Sequence, residues 1–249
     1  MSPPDPRPVG TDPTGRTDDH DPPRRHADPR RRPHPEPHGL RRHATRRPRR
    51  LRPPKDRDQA IAVLREAVRL GVTHIDTSDY YGPVVVNELI KEALHPYPHD
   101  LRIITKVGAT RGPDASWNPA LSRQDLITAV HDNLTHLGVE ALDVVNLRVG
   151  GLLAPTDDSL AEPFAVLAEL RRQGLIRHLG LSHITGTQLT EAQQIAPVVT
   201  VQNFYNIANR QDEPLLTRCA DEGISFAPFF PLGGFTPSSR TPSPRWPTA

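Results

Sequence analysis

From Asp56 onward the apolar residues fall in a repeating order, a stripe at helical spacing followed by a short apolar run. In DRDQAIAVLREAVRLG, Ile61, Leu64 and Val68 recur at helical spacing behind Asp58, a candidate N-cap, and Gly71 supplies the stop signal. The run VTHID that follows predicts a buried strand. The same order returns in VVVNELIKEAL before LRIITKVG, SRQDLITAVHDNLTHLG before LDVVNLRV, and EPFAVLAELRRQGLI before RHLGLS. It continues in GTQLTEAQQIA before VVTVQNFYN and in EPLLTRCADEG before ISFAPFF. Such alternation predicts parallel strands buried on both faces and joined by right-handed crossovers. About six strands over roughly 180 residues match the roughly 30 residues per unit of such folds. Alternation by itself permits an eight-stranded barrel or an open doubly wound sheet.

The two ends break this order. Residues 1–54 are built from Pro, Arg, His and Asp and hold about half of the chain's prolines and arginines. With so few apolar residues they cannot offset their chain entropy by burial, and disorder is expected there. Residues 236–249, rich in Pro, Ser, Thr and Arg, carry the same expectation, which leaves 55–235 as the foldable unit. This dilution accounts for a hydrophobic fraction of 35%, where an ordinary domain has roughly 45–50%.

Cys219 is the single cysteine, so no intramolecular disulfide is available, and no Cys/His spacing suggests a metal. The N-terminus lacks the apolar core of a secretory signal and no stretch is long enough to span a membrane, so a soluble, cytoplasmic protein is expected. A net charge of +2 does not by itself imply a nucleic-acid partner. The arginine-rich segment also lacks interleaved aromatics and any module signature. The expected partner is a small molecule, with no metal, membrane or nucleic acid.

If the strands close a barrel, chemistry belongs at their C-terminal ends. Asp76 closes VTHID, with Tyr81 in the loop beyond, and Lys106 closes IITK. Arg148 closes DVVNLR, Ser182 and His183 close HLGLSH, and Gln202 and Asn203 sit in VVTVQN. A phenol is a poor acid near neutral pH, with an ordinary pKa of about 10. An ammonium beside a phenol favours its ionised form, and a carboxylate paired with that ammonium keeps it charged and oriented. Such a tyrosine can give a proton to a carbonyl oxygen as hydride reaches the carbon. Taken singly, the same residues read as a helix cap, a surface ion pair, a loop aromatic and a buried arginine neutralising a carboxylate.

HIDTSDYYG, ITKVG, LDVVNLR, HLGLS, VQNFYN and FFPLGG, in that order, resemble the aldo/keto reductase family from about Asp56 to Phe235. HIDTSDYYG is the most specific, because its Asp and Tyr stand at the family's interval, which selects Tyr81 over Tyr80. The resemblance implies an α/β fold of the (β/α)8 TIM-barrel type, NADPH as cofactor, and reduction of a small aldehyde or ketone to the alcohol. It implies Tyr81 as proton donor, Lys106 as its assisting base and Asp76 as the carboxylate pairing that lysine. Ser182 and Gln202 match residues that bind the nicotinamide carboxamide, Phe229 the aromatic that stacks on the ring, and Leu232 the place where the pyrophosphate is wrapped. Two positions depart from the pattern. Arg148 stands where the family usually has His, in a form resembling its pyridoxal-reductase-like members, and His183 stands where it usually has Asn. Arginine can stabilise charge developing on a carbonyl oxygen, but cannot be both donor and acceptor as neutral imidazole is.

The family's glycine-rich first strand and its last strand, with the phosphate-gripping loop, have no counterpart in the segments RRHATRRPRRLRPP and TPSSRTPSPRWPTA. An incomplete barrel of about six strands is therefore expected, with two unpaired edges. A second expectation follows beside the reductase: a truncated, non-catalytic remnant with weak or no cofactor binding.

Overall fold

Asp56 caps the first helix, not Asp58: its carboxylate accepts from the Gln59 backbone N–H at 2.9 Å, and Asp58 falls in the first turn. The computed structural model describes residues 54, 56–113, 116–150 and 155–232. The Pro/Arg/His-rich segment, Pro54 excepted, and the C-terminal tail lie outside the described residues.

Six helix-to-strand units follow one another as read from the sequence. They are α1 (Arg57–Arg69) and β1 (His74–Asp76), then α2 (Val85–Leu94) and β2 (Arg102–Val107). A short antiparallel hairpin of β3 (Ala109–Arg111) and β4 (Trp117–Pro119) interrupts them. Next come α3 (Arg123–Leu137) with β5 (Leu142–Arg148), α4 (Ala161–Arg172) with β6 (Ile176–Ser182), and α5 (Gly186–Gln193) with β7 (Val198–Gln202). The series ends in α6 (Glu213–Asp221) and β8 (Ser225–Phe226), a strand much shorter than the run ISFAPFF suggests. Beyond Phe226, Pro228 has no N–H to give, pairing continues only as an isolated bridge of Phe229 to Phe204, and the positive φ of Phe230 then turns the backbone out of the extended region.

All six large-sheet strands are parallel, in the order β1-β2-β5-β6-β7-β8. Each new strand adds to the same side of its predecessor. A doubly wound sheet reverses its strand order at a switch point, and none occurs here, so the barrel-type winding is the one adopted.

Alternation along the strands separates two faces. Ile103, Val107, Val145, Leu147, Leu179, Leu181 and Val201 are buried under the helices in one continuous core. Each such side chain contributes on the order of 2 kcal/mol. The opposite, inner face is largely polar, and the expectation of strands buried on both faces holds only in part. Asp76, Lys106, Asn146, Arg148, Gly180, Ser182, Thr200 and Gln202 share it by register, and His178 near its lower end is exposed.

Gly180 is where that face is tightest. A Cβ there would lie 2.0 Å from Asn146 Oδ1, 2.4 Å from Thr200 Cγ2 and 2.9 Å from the Thr200 carbonyl oxygen. Gly180→Ala is expected to cost about 1–3 kcal/mol, as overpacking does. Urea unfolding reads this directly, and an unchanged midpoint would show that the face yields to the added methyl group.

Candidate active site

The upper ends of β1, β2 and β5 and the loop after β1 bring Asp76, Tyr81, Lys106 and Arg148 together. The Lys106 side chain, 3% exposed, donates to Asp76 Oδ2 at 2.6 Å and to the Thr77 carbonyl at 2.9 Å. Its Nζ also lies 5.1 Å from the centroid of the Tyr81 ring. Asp76 is more open, its side chain 36% exposed, because β1 is the outer strand of the sheet. Tyr81, Lys106 and Arg148 line a cavity of about 360 Å³ with Tyr80, Gly82, Val86, Arg111, Trp117, Gln202, Phe229 and Phe230.

The two adjacent tyrosines differ in kind. Tyr80 is buried, its hydroxyl has no hydrogen-bond partner among the described residues, and burial pushes its phenol well above the ordinary range. Tyr81 is half-buried beside the Lys106 ammonium. A phenol raised by burial is the poorer acid, so the surroundings favour the tyrosine that the spacing selects.

A buried polar network fixes the loop that carries Tyr81. The Thr77 hydroxyl donates to Asn87 Oδ1 at 2.7 Å, and the Asn87 amide donates to Asp79 at 2.7 Å and to Asn133 Oδ1 at 3.1 Å. From β2, the Thr105 hydroxyl reaches the same Asn133 oxygen at 2.5 Å. His136 Nδ1 lies 2.9 Å from Asp79 Oδ2. Burial raises the Asp79 carboxyl, while the bonds from His136 and Asn87 oppose that shift. The network ties loop, β2, α2 and α3 into one support, and polar groups so buried are costly to leave unpaired.

Arg148 is buried against rings, its guanidinium carbon 5.0 Å from the Trp117 centroid and 5.8 Å from that of Phe229. Gly108, at φ +102°, lets β2 end against this strand, since a Cβ there would meet the Arg148 carbonyl oxygen at 2.4 Å.

Ser182 pairs in register with Arg148 on one side and Gln202 on the other. Both are buried, and Ser182 Oγ has no hydrogen-bond partner among the described residues. Phe229, on the cavity wall, stacks on Phe204 at 5.7 Å. His183 is buried with its ring edge-on to Phe229 at 5.4 Å, and its φ is +65°. That left-handed backbone is adopted most readily by Gly, Asn, Asp and His, so the imidazole stands where few side chains fit without strain. Asn203, by contrast, serves the fold: its side chain bonds both backbone groups of Ile184 and reaches Asp212. Leu232 is 99% exposed just beyond Phe230 and is not on the cavity wall.

Sequence reasoning missed Arg111 and Trp117. Both sit on the hairpin, away from any apolar run, where the turn signal Gly112-Pro113 was the available clue.

A family model described as "Aldo/keto reductase family" matches residues 47–246. The chain belongs to the aldo/keto reductase family. It is 58% identical over 187 residues to "Pyridoxine 4-dehydrogenase" of Escherichia coli (strain K12), covering 74% of this chain and 65% of that protein. The likeness supports the pyridoxal-reductase-like subgroup. Among solved structures, the thermostable aldo-keto reductase Tm1743 is 33% identical at a TM-score of 0.60, covering 72% of this chain and 63% of that one. An aldo/keto reductase from Klebsiella pneumoniae, solved in complex with NADP and acetate, shares the fold at a TM-score of 0.57 and 23% identity, covering 70% of this chain and 58% of that one. The chain therefore spans less than two thirds of the length of each of these relatives.

Among the described residues no group of three or more His, Cys, Asp and Glu side chains is placed to hold a metal ion, and no helix is long and apolar enough to cross a membrane.

Proposed function

We propose that this site reduces a small aldehyde or ketone to the alcohol with NADPH, Tyr81 giving the proton. One observation carries the reading: a buried ammonium, paired to Asp76 at 2.6 Å, sits 5.1 Å from the ring of a half-buried tyrosine on the wall of a cavity.

Asp76 and the Thr77 carbonyl accept hydrogen bonds from Lys106 and hold it in place. Lys106 in turn stabilises negative charge on Tyr81 as the phenol releases its proton to the carbonyl oxygen. The Arg148 guanidinium supports the negative charge that develops on that oxygen. A bound nicotinamide would supply the hydride that reaches the carbonyl carbon.

The residues present fit its carboxamide. Ser182 offers a buried hydroxyl with no partner among the described residues, and Gln202 an amide that both donates and accepts. Gln202 and Phe229 line the cavity, Ser182 lies next to Gln202 by register, and the His183 ring is edge-on to Phe229 at 5.4 Å. Leu232 is left for the pyrophosphate path.

A second reading, the non-catalytic remnant, draws on the outer edges of β1 and β8, beside which no further strand lies among the described residues. Titration of the full chain with NADPH, followed by cofactor fluorescence, separates the two. Saturable binding in the micromolar range is expected for the reductase, and no saturable signal would favour the remnant.

A further inference from the structure

The polar network behind the Tyr81 loop ends at a side chain that the proposed reaction does not itself use. Asn87 commits all its groups: its oxygen accepts from the Thr77 hydroxyl, and its amide donates to Asp79 Oδ1 and to Asn133 Oδ1. Asp79 Oδ1 therefore receives a hydrogen, and with Asp79 ionised its other oxygen takes one from His136 Nδ1 at 2.9 Å. Burial, and more weakly the charge of Asp132, work against that carboxylate, and the His136 bond is the largest influence opposing them. A carboxyl that took up a proton would be the weaker acceptor for its donors.

His136 is also a firm post. It stands in the last turn of α3, where the carbonyls on either side of it are held: Lys91 Nζ donates to that of Thr135 at 3.2 Å, and the Tyr97 hydroxyl to that of Leu137 at 2.7 Å. Its side chain is not on the cavity wall. Asp79 belongs to the turn between β1 and α2, in which the Tyr81 N–H donates to the Ser78 carbonyl and the Val84 N–H to the Asp79 carbonyl. That turn carries both the Tyr81 ring and the Thr77 carbonyl that accepts from Lys106.

We infer that His136 is a positioning residue for the reaction: acting through Asp79 from outside the cavity, it sets where Tyr81 and Lys106 stand relative to one another. This rests on the reductase reading above. Because it acts on geometry alone, its loss slows proton transfer and leaves the binding of aldehyde and cofactor as it was.

Kinetics of the full chain with 4-nitrobenzaldehyde and NADPH test the role. His136→Leu removes the hydrogen bond and is expected to lower kcat about tenfold with KM nearly unchanged, since small misplacements of a reacting group are costly. His136→Asn, whose amide can reach the place of Nδ1, should recover most of that loss. A merely structural role is separated by a second background. In Tyr81→Phe the residual turnover should be indifferent to His136→Leu, because residues that act as one unit are not additive. Unchanged kcat in His136→Leu, or an equal loss in the Tyr81→Phe background, would overturn the inference.

Hydrogen exchange over residues 78–84, read by mass spectrometry, needs no turnover. In His136→Leu the amides of Tyr81 and Val84 should exchange about tenfold faster, the scale of one charge-assisted hydrogen bond. Those of β5, β6 and β7 should not change, and His136→Asn should stay close to the parent. If the parent reduces no aldehyde, the reductase reading falls by itself, and faster exchange in His136→Leu still shows His136 holding the turn. Equal exchange in the parent and His136→Leu sinks the inference whatever the turnover.

Discussion

Tyr81→Phe is expected to lower turnover by about 10²–10⁴-fold, the contribution of a positioned general acid. The phenyl ring keeps its edge contact with Tyr80 at 5.4 Å and its place beside Lys106, so the fold should survive unchanged. Tyr80→Phe is the control. It deletes a buried hydroxyl that has no hydrogen-bond partner among the described residues, and removing such a group is neutral or mildly stabilising. Steady-state kinetics on the two variants, with thermal unfolding of each, decide the matter. Full turnover in Tyr81→Phe would refute the proton-donor role, and a large loss in Tyr80→Phe would move that role to its neighbour.

The second large effect is an asymmetry within the Lys106–Asp76 pair. Water reaches Asp76, whose side chain is 36% exposed, but hardly reaches Lys106 at 3%. Asp76→Ala therefore strands an ammonium with the Thr77 carbonyl as its remaining acceptor among the contacts described. The expected cost is about 3 kcal/mol, at the low end for breaking a buried pair because solvent screens the acid. Lys106→Met replaces the ammonium with an apolar group of similar length and leaves a carboxylate that water can solvate, so its cost should be about 1 kcal/mol or less. Both variants should lose turnover, Lys106→Met with its fold intact. Denaturant unfolding beside kinetics reads the difference. Equal destabilisation by the two changes would mean that the pair is solvated as a whole.

The helices were legible because a stripe at helical spacing is a property of near neighbours. Ile61, Leu64 and Val68 announce α1, and the segment SRQDLITAVHDNLTHLG announces α3. The helix start was less legible. Asp56 and Asp58 are both good capping residues, and the choice depends on which carboxylate meets the Gln59 N–H once the turn has formed. The length of β8 was not legible either, since ISFAPFF is largely apolar while the regular strand ends at Phe226 and pairing goes on only as an isolated bridge at Phe229.

Within the site, Asp76, Tyr81 and Lys106 were readable as candidates from the motifs that hold them, and the structure pairs Lys106 with Asp76 and sets its Nζ 5.1 Å from the Tyr81 ring centroid. The supports behind them were not. Asn87 and Asn133 are 46 positions apart and read as ordinary polar helix residues, yet they share a buried hydrogen bond that steadies the Tyr81 loop. Arg111 and Trp117 had no periodic signal at all, and the hairpin alone carries them to the cavity wall.

The sequence by itself determined the order of helices and strands and the family, and offered Asp76, Tyr81 and Lys106 for the proposed chemistry, because each is written in local spacing. Tertiary structure decided the winding of the sheet, the tyrosine whose surroundings suit an acid, and the cationic, aromatic cavity. Those depend on burial and on side chains brought together from distant segments, which near-neighbour pattern does not encode.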